Sequence, residues 1–130
     1  MKNHQEYYRQ MGNIMYCIAS SGGKIAAKEW GELRRIVREE LVPAEMHTDD
    51  FGADAAYTVE FQFDVLEGND TAFEQVWEDA SEYLKHNAPL LPAEDNNRLY
   101  AAAEKVAAAF HGISKAENRV LGLLKILLKK

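Results

Sequence analysis

Cysteine is nearly missing from this 130-residue chain. Cys17 stands alone, which rules out an internal disulfide and any cysteine-rich zinc site and suits a reducing cytoplasm. Long apolar runs are also missing. The most apolar stretch, 120–128, is interrupted by Lys125 and falls far short of the ~20 residues that a bilayer-spanning helix needs. The opening MKNHQEYYRQ holds no apolar segment of the kind a secretory signal carries, so neither export nor direct membrane insertion is expected. Catalytic signatures are absent as well. Gly22-Gly23-Lys24 lacks the length and the following Ser/Thr of a phosphate loop. His4, His47, His86 and His111 show no four-residue pairing of the kind a zinc helix uses. Cys17 sits among Met and Ile on an apolar helix face, the setting of a small core residue rather than a nucleophile. No nucleophile–base pair is visible, and the chain is read as a non-enzyme.

The composition is that of a globular protein, 47% hydrophobic and 28% charged, at a length that favours one domain over residues 1–130. The net charge of −6 is unevenly distributed. Residues 1–44 carry seven Lys/Arg against five Asp/Glu, residues 45–95 one against fourteen, and residues 96–130 seven against two. An acidic middle therefore lies between two mildly basic ends. Arg34, Arg35 and Arg38 make a small basic face without interleaved aromatics, a poor match to a nucleic-acid surface, and no nucleic-acid partner is expected.

Hydrophobic spacing predicts helices throughout. Tyr7, Met11, Ile14, Met15 and Ile18 form one apolar stripe from Glu6 to about Ala19, ended by Ser20-Ser21-Gly22-Gly23. A second helix, about Ala27 to Leu41, turns Trp30, Leu33, Ile36, Val37 and Leu41 inward, and Pro43 stops it. Residues 55–66 alternate like a strand through Tyr57, Val59, Phe61, Phe63 and Val65, but no second alternating segment exists to pair with them. As a helix they carry apolar residues on two flanks, one with Ala56, Val59, Phe63 and Leu66 and the other with Tyr57, Phe61 and Val65. A helix buried on more than one side is the expectation. Gly68-Asn69 breaks the chain, and Thr71-x-x-Glu74 is a capping box for a helix burying Phe73, Val76, Trp77, Ala80 and Leu84. Pro89 and Pro92 bracket a turn, after which an alanine-rich helix runs from about Ala93 to Phe110 with Leu99, Ala103, Val106 and Phe110 inward. The last helix opens on Ser114-x-x-Glu117 and is apolar on most sides, which suits a bundle centre or a subunit contact and allows a homodimer. The fold class is all-α, a single-domain bundle of six to seven helices.

The chain resembles itself at an offset of 88 residues: Ile25 overlies Ile113, Glu29 Glu117, Leu33 Leu121 and Ile36 Leu124. Each copy (about 6–41 and about 93–130, flanking the acidic middle 45–95) reads as helix, tight turn, isoleucine and a glutamate opening a second helix. Two pseudo-symmetric helical hairpins are the natural arrangement. This unit resembles the TerB-like family, named for tellurite-resistance protein B and also found in membrane-anchored J-domain co-chaperones. The family pattern is an alanine-rich helix, Ala-Asp-Gly-x-Ile and Ser-x-x-Glu, given twice. Gly23, Ile25 and Glu29 match in the first copy, and Ile113, Ser114 and Glu117 in the second. Where the family often has an aspartate before the glycine, this chain has Gly22 and Phe110, and His111 takes the second glycine position. No His-Pro-Asp tripeptide occurs, so the chain carries no J domain. The resemblance implies a non-enzymatic helical module in a stress or tellurite-resistance setting, and family members have been linked to divalent-metal binding near these turns.

Glu29 and Glu117 are the candidate oxygen ligands for a divalent cation, and helix capping with dipole placement is the alternative for both. Asp49, Asp50 and Asp54 lie in an acidic segment without the spacing of a calcium loop, where Asp49 or Asp50 suits a helix start. Glu74, Glu78 and Glu82 recur every four residues, with Asp79 adjacent, as a solvated face or a docking surface for a basic protein partner. With Asp49, Asp50 and Asp54 they form the expected interaction surface.

Overall fold

The computed structural model describes residues 4–21, 27–37, 39, 49–91, 93–109 and 115–128, without the side chains of 4–5, 27–30, 49–56 and 115–117. The described residues form six α-helices and one 3-10 turn and contain no strand: α1 (His4–Ser21), α2 (Ala27–Ile36), α3 (Asp49–Gly68), α4 (Phe73–Asn87), the turn Ala88–Leu90, α5 (Ala93–Ala109) and α6 (Lys115–Leu128). The all-α bundle expected from the spacing of apolar residues is the fold observed. Residues 57–65, strand-like by alternation, lie within α3. With no second strand to satisfy their backbone, the helix is the form in which these residues bond internally.

α1 is the centre of the bundle and packs against α3, α4, α5 and α6. Its expected single stripe is too narrow a description. Tyr8, Gln10, Asn13, Tyr16, Cys17 and Ala19 are buried along with Met11, Ile14, Met15 and Ile18. A helix surrounded by neighbours must bury every face. Of the two places expected for the last helix, the bundle centre and a subunit contact, the centre is not the one it takes. α6 buries Val120, Leu121, Leu124 and Leu128 and exposes Leu123 and Ile126. The inward faces of the other helices agree with their spacing: Leu33, Ile36 and Val37 on α2, Val76, Ala80 and Leu84 on α4, and Leu99, Ala103 and Val106 on α5. Trp30, Leu41 and Phe110 lie outside the described side chains.

Two local expectations are corrected. The expected capping box at Thr71 does not form. Ala72 is the N-cap of α4 in extended conformation with no side-chain cap, and the Thr71 carbonyl instead accepts the Tyr16 hydroxyl at 2.8 Å. The end of α3 is likewise made by Asp70 rather than by Gly68. Asp70 has φ 50°, its N–H donates to Glu67 O at 3.1 Å, and Thr71 N–H donates to Leu66 O at 3.0 Å. That pair of bonds is a Schellman closure, with the left-handed residue supplied by an aspartate. The turns at 22–26 and 110–114 that would join the two hairpins, and with them the Ser114 capping box, lie outside the described residues.

Gly12 sets the distance between α1 and α3. A Cβ there would lie 2.7 Å from the Gln62 Cβ and 2.9 Å from the Val59 carbonyl oxygen, so the helices approach more closely than any side chain allows. Beside this contact Tyr16 meets Phe63 edge to face, with ring centroids 5.8 Å apart.

Candidate interaction surface and the polar clasp

A polar network ties α1 to α3 and α4, the helices it packs against most extensively. Gln10 and Asn13 are each 1% exposed, so every hydrogen-bonding group on them needs a partner. Gln10 Nε2 donates to Glu6 Oε2 at 2.8 Å and to Asp79 Oδ1 at 3.1 Å. Asn13 Nδ2 donates to Gln10 Oε1 at 2.9 Å and to Asp79 Oδ2 at 3.2 Å. Asn13 Oδ1 accepts Gln62 Nε2 of α3 at 2.8 Å. Both N–H bonds and the carbonyl oxygen of each amide thereby have a partner. Arg9 closes the outer side, giving Nε and Nη2 to the two Glu6 oxygens at 3.0 and 2.8 Å and Nη2 to Asp79 Oδ2 at 3.3 Å.

This cluster is a clasp between helices, its carboxylates occupied by donors fixed on α1. The Arg9 guanidinium holds the Glu6 carboxyl below its ordinary range, and Glu6 in turn raises Arg9. Nearby, burial pushes the Tyr83 phenol up to about 12, with Glu6 and Asp95 adding repulsion of the phenolate. Burial alone pushes the Cys17 thiol up to about 12, which keeps it protonated and inert. A third buried amide, Asn96, donates to the Ala88 carbonyl at 3.1 Å and fastens α5 to the turn before it. These buried polar residues were missed in the sequence. The available signal was an uncharged run from Gln10 to Ser21 in which two amides interrupt apolar residues.

The expected surface residues divide into two groups. Glu74, Glu78 and Glu82 are all exposed on the outer side of α4, and Glu82 lies 3.6 Å from Lys85 and 3.5 Å from His86. Asp79, read with them as part of a solvated face, is exposed as they are and also reaches back to α1. Asp49, Asp50 and Asp54 belong to the first part of α3, but their side chains lie outside those described, as do the side chains of Glu29 on α2 and Glu117 on α6. Among the described residues no group of three or more His, Cys, Asp or Glu is placed to hold a metal ion. The basic face is largely paired: Arg34 lies 3.4 Å from Glu60, and Arg35 bridges Glu32 at 2.7 Å and Glu39 at 3.0 Å.

α3 supplies a further feature. Its Val59, Phe63 and Leu66 side is buried, but the other flank, expected inside, faces outward: Tyr57 is 67%, Phe61 53% and Val65 37% exposed. The two rings stack at 5.8 Å with planes 15° apart. Burial of both flanks would need a helix on each side of α3, and the described neighbours, α1 and α2, contact it from the inner side, as buried Val59 and the Glu60–Arg34 pair indicate. Among the described residues no helix is long and apolar enough to cross a membrane. Comparison with protein-family models, with curated proteins and with solved structures gives no match for this chain.

Proposed function

We propose that this chain is a non-enzymatic helical module that acts by protein–protein contact, of the TerB-like kind its repeat resembles, in a cytoplasmic stress or tellurite-resistance setting. The observation that carries the reading is the carboxylate surface of the acidic middle. Between Arg38 and Lys85 the chain has no Lys or Arg, and Glu74, Glu78 and Glu82 stand exposed along α4. Like charges four residues apart cost a helix ~0.2–0.5 kcal/mol per pair, a cost that Lys85, 3.6 Å from Glu82, offsets at one end of the ladder and that a cationic partner would offset along the rest. Such a surface attracts a basic protein and repels nucleic acid and anionic lipid alike.

The test is binding of fluorescein-labelled oligolysine, followed by anisotropy over a salt titration. The expected result is saturable, salt-sensitive binding that weakens about tenfold in the Glu74→Gln, Glu78→Gln, Glu82→Gln triple variant. Equal binding by the triple variant overturns the reading. The cation alternative rests on Glu29 and Glu117, and calorimetry with Ca²⁺, Mn²⁺ and Zn²⁺ on wild type and on Glu29→Gln, Glu117→Gln separates the two. A saturable heat lost in that double variant replaces the interaction module with a cation binder.

A further inference from the structure

The outward flank of α3 has the geometry of a helix-packing ridge. Tyr57, Phe61 and Val65 are spaced by four, and side chains in such a row form the ridge that fits the groove of a second helix. Over eight residues the row runs ~12 Å, about two helical turns. Its two rings already lie against each other at 5.8 Å, so little side-chain freedom remains to be lost on contact. The opposite flank of α3, Val59, Phe63 and Leu66, is committed to the core, so the ridge can be covered only from outside.

Charge decides among the possible occupants. α3 carries Asp49, Asp50, Asp54, Glu60, Asp64 and Glu67 and no Lys or Arg at all. Exposed Asp64 is next to the ridge on the helix surface, one residue before Val65 and three after Phe61. A second copy meeting the first ridge to ridge would set one all-acidic helix against another, an arrangement that like charges oppose. An anionic membrane surface meets the same repulsion. An extended peptide would need an open strand edge, and the described residues form none. What remains is a helix with an apolar stripe and basic flanks. Resting on the reading of this chain as an interaction module, we infer that the Tyr57–Phe61–Val65 ridge docks a basic amphipathic helix of a partner protein, with the apolar stripe on the rings and the Lys/Arg flank toward Asp64 and its acidic neighbours.

The experiment compares two fluorescein-labelled peptides of about 18 residues made only of Leu and Lys, one with leucines on one helical face and one scrambled to the same composition. The full chain binds the amphipathic peptide about tenfold more tightly than the scrambled one. Tyr57→Ser with Phe61→Ser removes that margin and leaves oligolysine binding unchanged. Leu90→Ser with Ile126→Ser, at exposed apolar positions elsewhere, leaves the margin intact. All four positions are exposed, and circular dichroism confirms that both variants keep the helical content of the wild type. Equal affinity for the two peptides, or a margin that survives Tyr57→Ser with Phe61→Ser, overturns the docking ridge while leaving the acidic module standing. Loss of oligolysine binding in the wild type overturns the module itself. A concentration-dependent dimer in sedimentation, or binding to vesicles containing phosphatidylserine, that disappears in the Tyr57→Ser, Phe61→Ser variant assigns the ridge to a second copy or to a membrane and overturns the inference.

Discussion

Asn13 of α1 donates to Asp79 of α4 across a sequence separation of 66 residues, at 3.2 Å, from a side chain that water scarcely reaches. The same amide accepts Gln62 of α3, so one residue joins three helices at the centre of the bundle. In a core built from interchangeable apolar contacts, such a bond set fixes the rotation of α1 relative to both neighbours.

Asn13→Ala therefore leaves Gln62 without its acceptor and Gln10 and Asp79 each short of a donor. The expected loss is about 1–3 kcal/mol of unfolding free energy, read as a lower urea midpoint with an unchanged slope. In a double-mutant cycle with Asp79→Ala the two effects are non-additive by about 0.5–3 kcal/mol. Additive effects would show that the clasp does not couple the helices.

Glu6 gives the protein a predictable acid limb. Its folded carboxyl is held below its ordinary value of 4.5, first by the Arg9 hydrogen bonds and further by Gln10. A depressed carboxyl contributes stability that is present above its unfolded value and is lost as pH falls through the folded one. Stability is expected to decline below about pH 4.5 with a component that Arg9→Gln makes shallower. Chemical denaturation at a series of acidic pH values measures it, and parallel wild-type and Arg9→Gln profiles would contradict it.

The inward side of α4 could be read directly, because Val76, Ala80 and Leu84 recur at helical spacing with no polar competitor, and so could that of α5 beyond its first turn, where Leu99, Ala103 and Val106 follow the buried Asp95 and Asn96. Gln10 and Asn13 could not be, since an amide looks like a surface residue until Gln62 and Asp79 arrive from distant parts of the chain. Tyr57 and Phe61 misled in the opposite direction. Hydrophobicity reports what favours burial, but only packing shows how many sides of α3 the bundle covers. Thr71-x-x-Glu74 matched a capping pattern whose geometry the tight closure at Asp70 prevents. Of the candidate site, exposure of the Glu74–Glu78–Glu82 ladder was legible from its spacing. The bonds of Asp79 to α1 were not, because nothing in α4 alone announces the Arg9, Gln10 and Asn13 donors.

Glycines in three helices separate close packing from helix propensity. Gly12→Ala puts a methyl group against the Gln62 Cβ and the Val59 carbonyl, both held by the α1–α3 contact. Forced separation there is expected to cost about 1–3 kcal/mol, more than the ~1 kcal/mol that alanine returns in propensity. At Gly31 and Gly122 a Cβ meets nothing within 4 Å, so the same substitution is expected to stabilise by about 0.5–1 kcal/mol. Thermal melts of the three variants should therefore shift in opposite directions. A stabilised Gly12→Ala would show that α1 and α3 do not approach as closely as described.

Cys17 offers a reporter on the bundle's centre. It is fully buried on α1 and its thiol is pushed up to about 12, so at mildly alkaline pH almost none of it is thiolate. Because a thiol reagent must both reach the sulfur and find it ionised, labelling of the native protein is expected to be slower than that of the unfolded chain by orders of magnitude. Its rate should follow opening of the bundle, rising in Asn13→Ala by about tenfold per ~1.4 kcal/mol of lost stability where opening is global. Tyr57→Ser with Phe61→Ser, at exposed positions, should leave the labelling rate unchanged. Mass spectrometry of quenched labelling reactions reads both outcomes, and rapid modification of the native wild type would mean that α1 is not enclosed by its neighbours.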